Sequence, residues 1–352
     1  METSINSAVL VIGGGPAGTS AAITCARAGL PVTLLEAQSF PRHRPGETLH
    51  PGIAPLLVRL GVGDSLERAN FLRHAGVWTT REAKLEFQAY GSDEKGPWLG
   101  YQATRSEFDA LLLAQARSCG VTVFQPHRAV RVLRDRGRVV GAETTAGRVN
   151  AAVTIDASGA NAWLARALSL RHQQVSHKLI AFYGYMQGDC PERDDAPCFT
   201  YLLNGWTWTA RVRPNIYHWT RLVTNSFPSQ DKGPPPEFSG LRPLGRPKGA
   251  DVTWRRLESS VGPGYFVAGD AAAVSDPSSS HGVLRAIMSG MLAGHLVLKN
   301  LFRNEPAEAL AAEYQQFLDS SFDFDWAHAS QQEGPLPAHR STLWRGDRLG
   351  AY

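Results

Sequence analysis

Three glycines and two acids, far apart in the chain, offer this sequence's clearest chemistry. In "SAVLVIGGGPAGTSAAITCARAGLPVTLLE" (7–36), Gly13-x-Gly15-x-x-Gly18 falls where an apolar run should turn into a helix. The first glycine permits the tight turn, the second lets backbone approach a pyrophosphate, and the third lets helix pack on strand. A helix start there aims free N–H groups and a positive dipole end at phosphate. Glu36 closes the next apolar run, where an acid can accept from ribose hydroxyls. Ala17 inside the turn and Arg42 just beyond Glu36 are assigned to the same dinucleotide site. A second half comes from "YFVAGDAAAVSDPSSSHGV" (265–283), where another apolar strand ends in Gly269-Asp270. Asp270 can accept from the hydroxyls of a sugar chain. Pro277, Gly282 and Val283 bring backbone to a helix start that favours the anionic edge of a ring system. His281 in that loop and His50 further upstream are the candidate proton carriers near neutral pH. Glu47 is expected to order its loop more than to react. No metal site is expected.

The elements that must hold these groups can be read around them. The chain has 352 residues, 43% apolar and 19% charged, the balance of an ordinary soluble protein with ample core. Its net charge of +4 is too mild to imply nucleic acid. No apolar stretch is seen to approach the ~20 residues of a membrane span. The first strand begins too early for a signal peptide, so a cytoplasmic location is expected. Cys25, Cys119, Cys190 and Cys198 suit a reducing compartment, with Cys190 and Cys198 able to pair only under oxidation. "RSEFDALLLAQARSCGV" reads as a helix with Ser106 as N-cap and Gly120 as stop. "HAGVWTT", "AKLEFQAY" and residues 178–225 read as strands, and Asn204-Gly205 suits a type I′ hairpin turn. Residues 226–250 read as a Pro/Gly-rich connection, and the last ~25 residues as loosely patterned, anchored by Trp326 and Trp344. The expected fold is α/β plus antiparallel β. A discontinuous Rossmann-like domain (1–74, 100–170, 251–300) would carry an inserted β-sheet substrate domain (75–99, 171–250), followed by a C-terminal helix and tail (301–352).

Five ordered motifs resemble the FAD-binding superfamily of p-hydroxybenzoate hydroxylase, geranylgeranyl reductases and flavin-dependent halogenases, and its halogenase-like branch most. They are Gly13/Gly15/Gly18, "PGETLHP" (45–51), Arg105 with Phe108-Asp109, Asp156 to Gly159, and Asp270 with Asp276-Pro277. The resemblance implies FAD held extended, with Glu36 on the adenosine ribose, Arg105 near the dinucleotide backbone and Asp270 on the ribityl chain.

The chain also departs from that branch. Its halogenases are expected to carry a lysine beside the "GE" segment that captures hypohalous acid, and here Arg44-Pro45 stand there. A guanidinium keeps the charge but shares its proton poorly. "GWTWTARV" keeps Trp206 and Trp208 of a Trp-x-Trp-x-Ile-Pro motif and loses Ile-Pro to Ala210-Arg211. The expected activity is therefore an FAD-dependent monooxygenase that hydroxylates an electron-rich aromatic through a flavin C4a-hydroperoxide. The substrate would be a small molecule, carrier-borne or protein-bound, with peptidyl tryptophan in quinone-cofactor maturation as one candidate. The alternatives are a flavin-dependent halogenase, an isoprenoid reductase and a non-catalytic maturation flavoprotein. No second Gly-x-Gly-x-x-Gly is present, so electrons would come from transient NAD(P)H or a partner flavin reductase.

Overall fold

In the computed structural model, residues 4–82, 84–203, 205–223 and 232–331 are described. The opening strand, Ser4–Ile12, lies between Val32–Leu35 and Gly147–Asp156, parallel to both. Val9, Leu10 and Val11 are fully buried, as an unbroken apolar run in a covered parallel sheet must be. Thr122–Phe124 extends the sheet on one side. Arg138–Thr144 and Ala129–Asp135 extend it antiparallel on the other. Tyr265–Val267 returns from far down the chain to pair with Thr154–Asp156. Asp270 is thereby carried to the same end of the sheet as the glycine turn.

The second sheet is mainly antiparallel. It runs from Ile180–Gln187 through Ile216–Val223, Gly205–Arg213 and Cys198–Leu202 to Gly76–Arg81 and Lys84–Ala89. The Cys198–Leu202 and Gly76–Arg81 pair alone is parallel among these. The fold is thus α/β with a large antiparallel sheet. Cys198–Leu202 and Gly205–Arg213 pair as an antiparallel hairpin with Gly205 already in the strand opposite Leu202, and Asn204 of the expected turn lies outside the described residues, as does Trp344.

The opening helix, Pro16–Arg27, is built of small residues so that the long helix Gly282–Arg303 can lie on it. A side chain at Gly290 would sit 2.1 Å from the Ala17 carbonyl oxygen, and one at Gly294 would sit 2.9 Å from Thr24 Cβ. By length and composition this long helix passes for a membrane span, contrary to the reading of the sequence, but 56% of its most apolar stretch is buried inside the protein. It is a core helix.

Two other expectations are corrected. The Arg105–Ser118 helix is capped by Thr104, not Ser106, because Thr104 keeps extended backbone while Ser106 already lies in the first turn. The 226–250 connection is partly sheet, since Lys248–Asp251 and Arg242–Pro243 pair along Ile180–Gln187 and cover its edge. The expected C-terminal helix is Ala307–Gln331, 25 residues long, whose Phe322 and Trp326 pack edge-on against buried Trp254, while 332–352 lie outside the described residues. All four cysteines are free.

Candidate functional site

The glycine turn is shaped by collisions that only glycine avoids. Gly13 has φ +106°, and a Cβ there would lie 2.2 Å from the Ala157 oxygen. A Cβ on Gly18 would lie 1.9 Å from the Gly13 oxygen. Gly15 is different: its backbone is ordinary and its Cβ position is open except for Arg42 Nη2 at 3.4 Å. Glu36 steadies the turn, accepting from Gly14 N–H and Gln38 N–H at 2.8 Å each. A carboxylate has about four lone-pair sites, so both oxygens retain capacity for ribose hydroxyls.

Asp109, 0% exposed, binds two guanidiniums beneath this turn. Arg105 grips it through Nε at 2.8 Å and Nη2 at 3.0 Å, and Arg42 Nη1 stands 3.1 Å away. Burial opposes the charge on Arg105, but Asp109, Glu47 and Asp270 outweigh it and hold its proton tighter than usual. Arg42 Nε and Nη1 are buried and are held by ion pairs, to Glu36 at 3.8 Å and to Asp109 at 3.1 Å, with no aligned hydrogen bond among the described residues. Its Nη2 end, 3.4 Å from where a Gly15 Cβ would stand, fits a bound pyrophosphate.

Asp270 lies at the far end of the same cleft, open to solvent but walled by protein, and burial raises its carboxyl against the pull of Arg285, Arg105 and Arg255. Gly269 before it has φ +61° and packs against Ala17. Pro277 starts a short 3₁₀ turn capped by Asp276, which leads through His281 to Gly282, where nothing crowds a Cβ; Val283 behind it is buried. The residues at hand thus suit an extended FAD from Glu36 to the long helix.

The two tryptophans tie the antiparallel sheet to this cleft. Trp206 Nε1 donates to Asp276 Oδ2 at 3.2 Å, and Trp208 Nε1 donates to Thr48 Oγ1 at 3.0 Å. Thr48 continues through Gln102 to His74, all buried. Glu47, 1% exposed, accepts from Gly46 N–H and from the Tyr185 hydroxyl, with His218 Nε2 at 3.5 Å. Burial keeps both Tyr185 and His218 neutral, so Glu47 is held by hydrogen bonds more than by charge. Glu47 therefore fastens the "GE" loop to Ile180–Gln187.

His50 and His281 meet edge to face, ring centroids 5.0 Å apart. His50 Nδ1 accepts from Gly52 N–H, which leaves its proton on Nε2. Burial, then the neighbouring His281, lowers His50 from 6.5 to about 4. A histidine depressed on folding binds its proton more readily in the unfolded chain, so its contribution is present above about pH 6.5 and fades as pH falls towards 4. Acid titration of wild type and His50→Gln by thermal melting is expected to show a shallower loss in the variant across that window. Parallel curves would place His50 in an ordinary solvated setting.

Reading the sequence for sites left out Asp109, Tyr185, His218, Arg285 and Asp325. The i,i+4 spacing of Arg105 and Asp109 was a usable signal for the first. The others are brought in only by tertiary structure.

The chain matches a family model described as FAD binding domain over residues 6–187, just over half its length. A tryptophan 2-halogenase of Chondromyces crocatus is 29% identical to it, across 99% of this chain and 72% of the relative. A 1H-pyrrole-2-carbonyl-[peptidyl-carrier protein] chlorinase of Pseudomonas fluorescens is 25% identical, across 87% of this chain and 79% of the relative. Among solved structures, flavin-dependent brominase Bmp2 superposes with a TM-score of 0.78 at 25% identity, covering 93% of this chain and 85% of the other.

Proposed function

This chain belongs to the FAD binding domain family, and from that premise we propose that it is a flavin-dependent halogenase of an electron-rich aromatic ring. The observation that carries the reading is the likeness to a tryptophan 2-halogenase along 99% of the chain, through both sheets and the closing loop. This reverses the order in which the sequence alone ranks hydroxylation and halogenation. Indole and pyrrole rings, the latter on a carrier protein, are the substrate classes that the relatives' names suggest. FAD would supply the oxidising chemistry when reduced by NAD(P)H or a partner reductase and exposed to O₂.

The protein's own residues do the rest. Gly15, Arg42 and the start of the opening helix hold the pyrophosphate, and Glu36 and Asp270 accept from its sugars. Arg105, clamped by Asp109, donates from Nη1 to the Pro45 carbonyl at 3.2 Å and so fixes the "GE" loop. Trp206 and Trp208 tie the antiparallel sheet to the loops that carry Asp276 and Thr48.

Hydroxylation is retained as a second reading for one reason. No lysine among the described residues is buried, so no ammonium stands in the interior to hold hypohalous acid. The test supplies a flavin reductase, NADH, O₂, chloride or bromide, and either tryptophan or a pyrrolyl-carrier protein. A halide-dependent halogenated product is the expected result by mass spectrometry. A product that gains oxygen alone, whatever the halide, would transfer the assignment to the hydroxylase.

A further inference from the structure

The C-terminal helix Ala307–Gln331 brings an acid against His281 and Arg285 from a part of the chain that none of the motifs includes. Asp325 is 4% exposed, between Phe322 and Trp326, the residues that pack on Trp254. A carboxylate in such apolar company is costly unless paired. Its Oδ1 lies 3.2 Å from His281 Nδ1, and its Oδ2 pairs with Arg285. Arg285 lies one turn beyond His281 on the long helix, also donates to Ser275, and is drawn between Asp325 and Asp270. The arrangement therefore runs from the acid expected on the flavin's ribityl chain, through Arg285, to the histidine of the closing loop.

We propose that Asp325 is a positioning residue for His281: it accepts from Nδ1–H, fixes the tautomer that presents Nε2 as a base, and stabilises the imidazolium formed there. The step served rests on the aromatic substitution proposed above. Once the electrophile has added, the ring C–H bond breaks, its electron pair returns to the ring, and the proton passes to Nε2 and then to solvent. A third group that orients a base by holding its other nitrogen is a recurrent device in acid–base catalysis.

The charged and titratable groups facing His281 are consistent with that role. Asp325 comes from the C-terminal helix, Arg285 from its own helix, and His50 from the loop after Thr48–Leu49. Tyr90 packs on His50, and Asp270 acts on Arg285. Arg285 balances the carboxylate, so the pair orients His281 without adding a net charge to the cleft. His50, held down to about 4, does not compete for the proton near neutral pH.

The test uses holoprotein labelled with ¹⁵N-histidine, in which His281→Gln identifies the His281 signals. Wild type is expected to show the Nδ1–H tautomer of neutral His281. Asp325→Asn should move it towards Nε2–H, because an amide can donate to Nδ1. In the reductase-coupled assay kcat should fall on the order of 10³-fold, with KM little changed. His281→Gln should lose as much, and the double variant no more than either single one. A folded, flavin-loaded Asp325→Asn protein that keeps the Nδ1–H tautomer would overturn the proposal, as would losses that multiply. If Asp325→Asn does not fold, His281→Gln decides, since it leaves the Asp325–Arg285 pair intact: turnover within a few-fold of wild type rejects the relay. The tautomer measurement needs no substrate, so a failed halogenation assay with the tautomer shift present would sink the reaction class and not the pair.

Discussion

Gly15→Val is expected to give a folded protein that cannot hold FAD. The backbone at Gly15 has φ −78° and ψ −176°, a conformation that valine adopts readily. Its Cβ would meet Arg42 Nη2 at 3.4 Å and nothing else within 4 Å, and a guanidinium end can give way. The isopropyl group would then stand at the start of the opening helix, in the space reserved for the pyrophosphate. Flavin binding should weaken on the order of 100-fold or more, about 3 kcal/mol. Circular dichroism and thermal melting should stay near wild type. Gly13 and Gly18 could not serve for this test, because a Cβ at either strikes backbone at 2.2 or 1.9 Å and the fold would fail first. A yellow Gly15→Val protein with unchanged FAD affinity would remove the flavin from this turn.

The difference among those three glycines also marks how far the sequence could be read. Local chemistry was legible: a buried run into glycines, an acid at a strand end, and small residues before a second helix each state a constraint within ~20 residues. The antiparallel sheet was legible for the same reason, since aromatic and β-branched residues alternate with turns over 178–225. What stayed hidden depends on pairing between distant segments. Lys248–Asp251 has no strand propensity of its own and is recruited by the open edge of Ile180–Gln187. Trp206 and Trp208 read equally well as core or as substrate contacts, and the structure places them in the core while directing each indole N–H to a cleft loop. Asp325 gave no signal at all. It sits in a polar-looking helix whose pattern is weak, and only the packing of Phe322 and Trp326 on Trp254 turns it towards His281.

Asp109 shows how much can rest on one such residue, and Asp109→Asn is expected to be strongly destabilising. Its carboxylate is completely buried and neutralises Arg105 and Arg42, which approach to 2.8 and 3.1 Å. Replacing it by an amide leaves two buried guanidiniums without their shared partner, Arg42 with Glu36 at 3.8 Å from its Nε and Arg105 with only the longer-range charges of Glu47 and Asp270. Breaking a buried pair in this way costs about 3–5 kcal/mol, more than the hydrogen bonds alone, because the stranded charge has lost its solvent as well. Urea unfolding of the apoprotein should record that loss. FAD should offset part of it, since a pyrophosphate would restore negative charge beside Arg42 and binding only the folded state stabilises it by mass action. The two effects are separable. Arg105→Met combined with Asp109→Leu removes one of the two stranded guanidiniums, leaves Arg42 to Glu36, and should recover part of the stability. It would not recover FAD affinity, because the "GE" loop loses the donor to the Pro45 carbonyl. An Asp109→Asn protein that unfolds within about 0.5 kcal/mol of wild type would mean that water reaches both guanidiniums, and the clamp would then be an ordinary solvated ion pair.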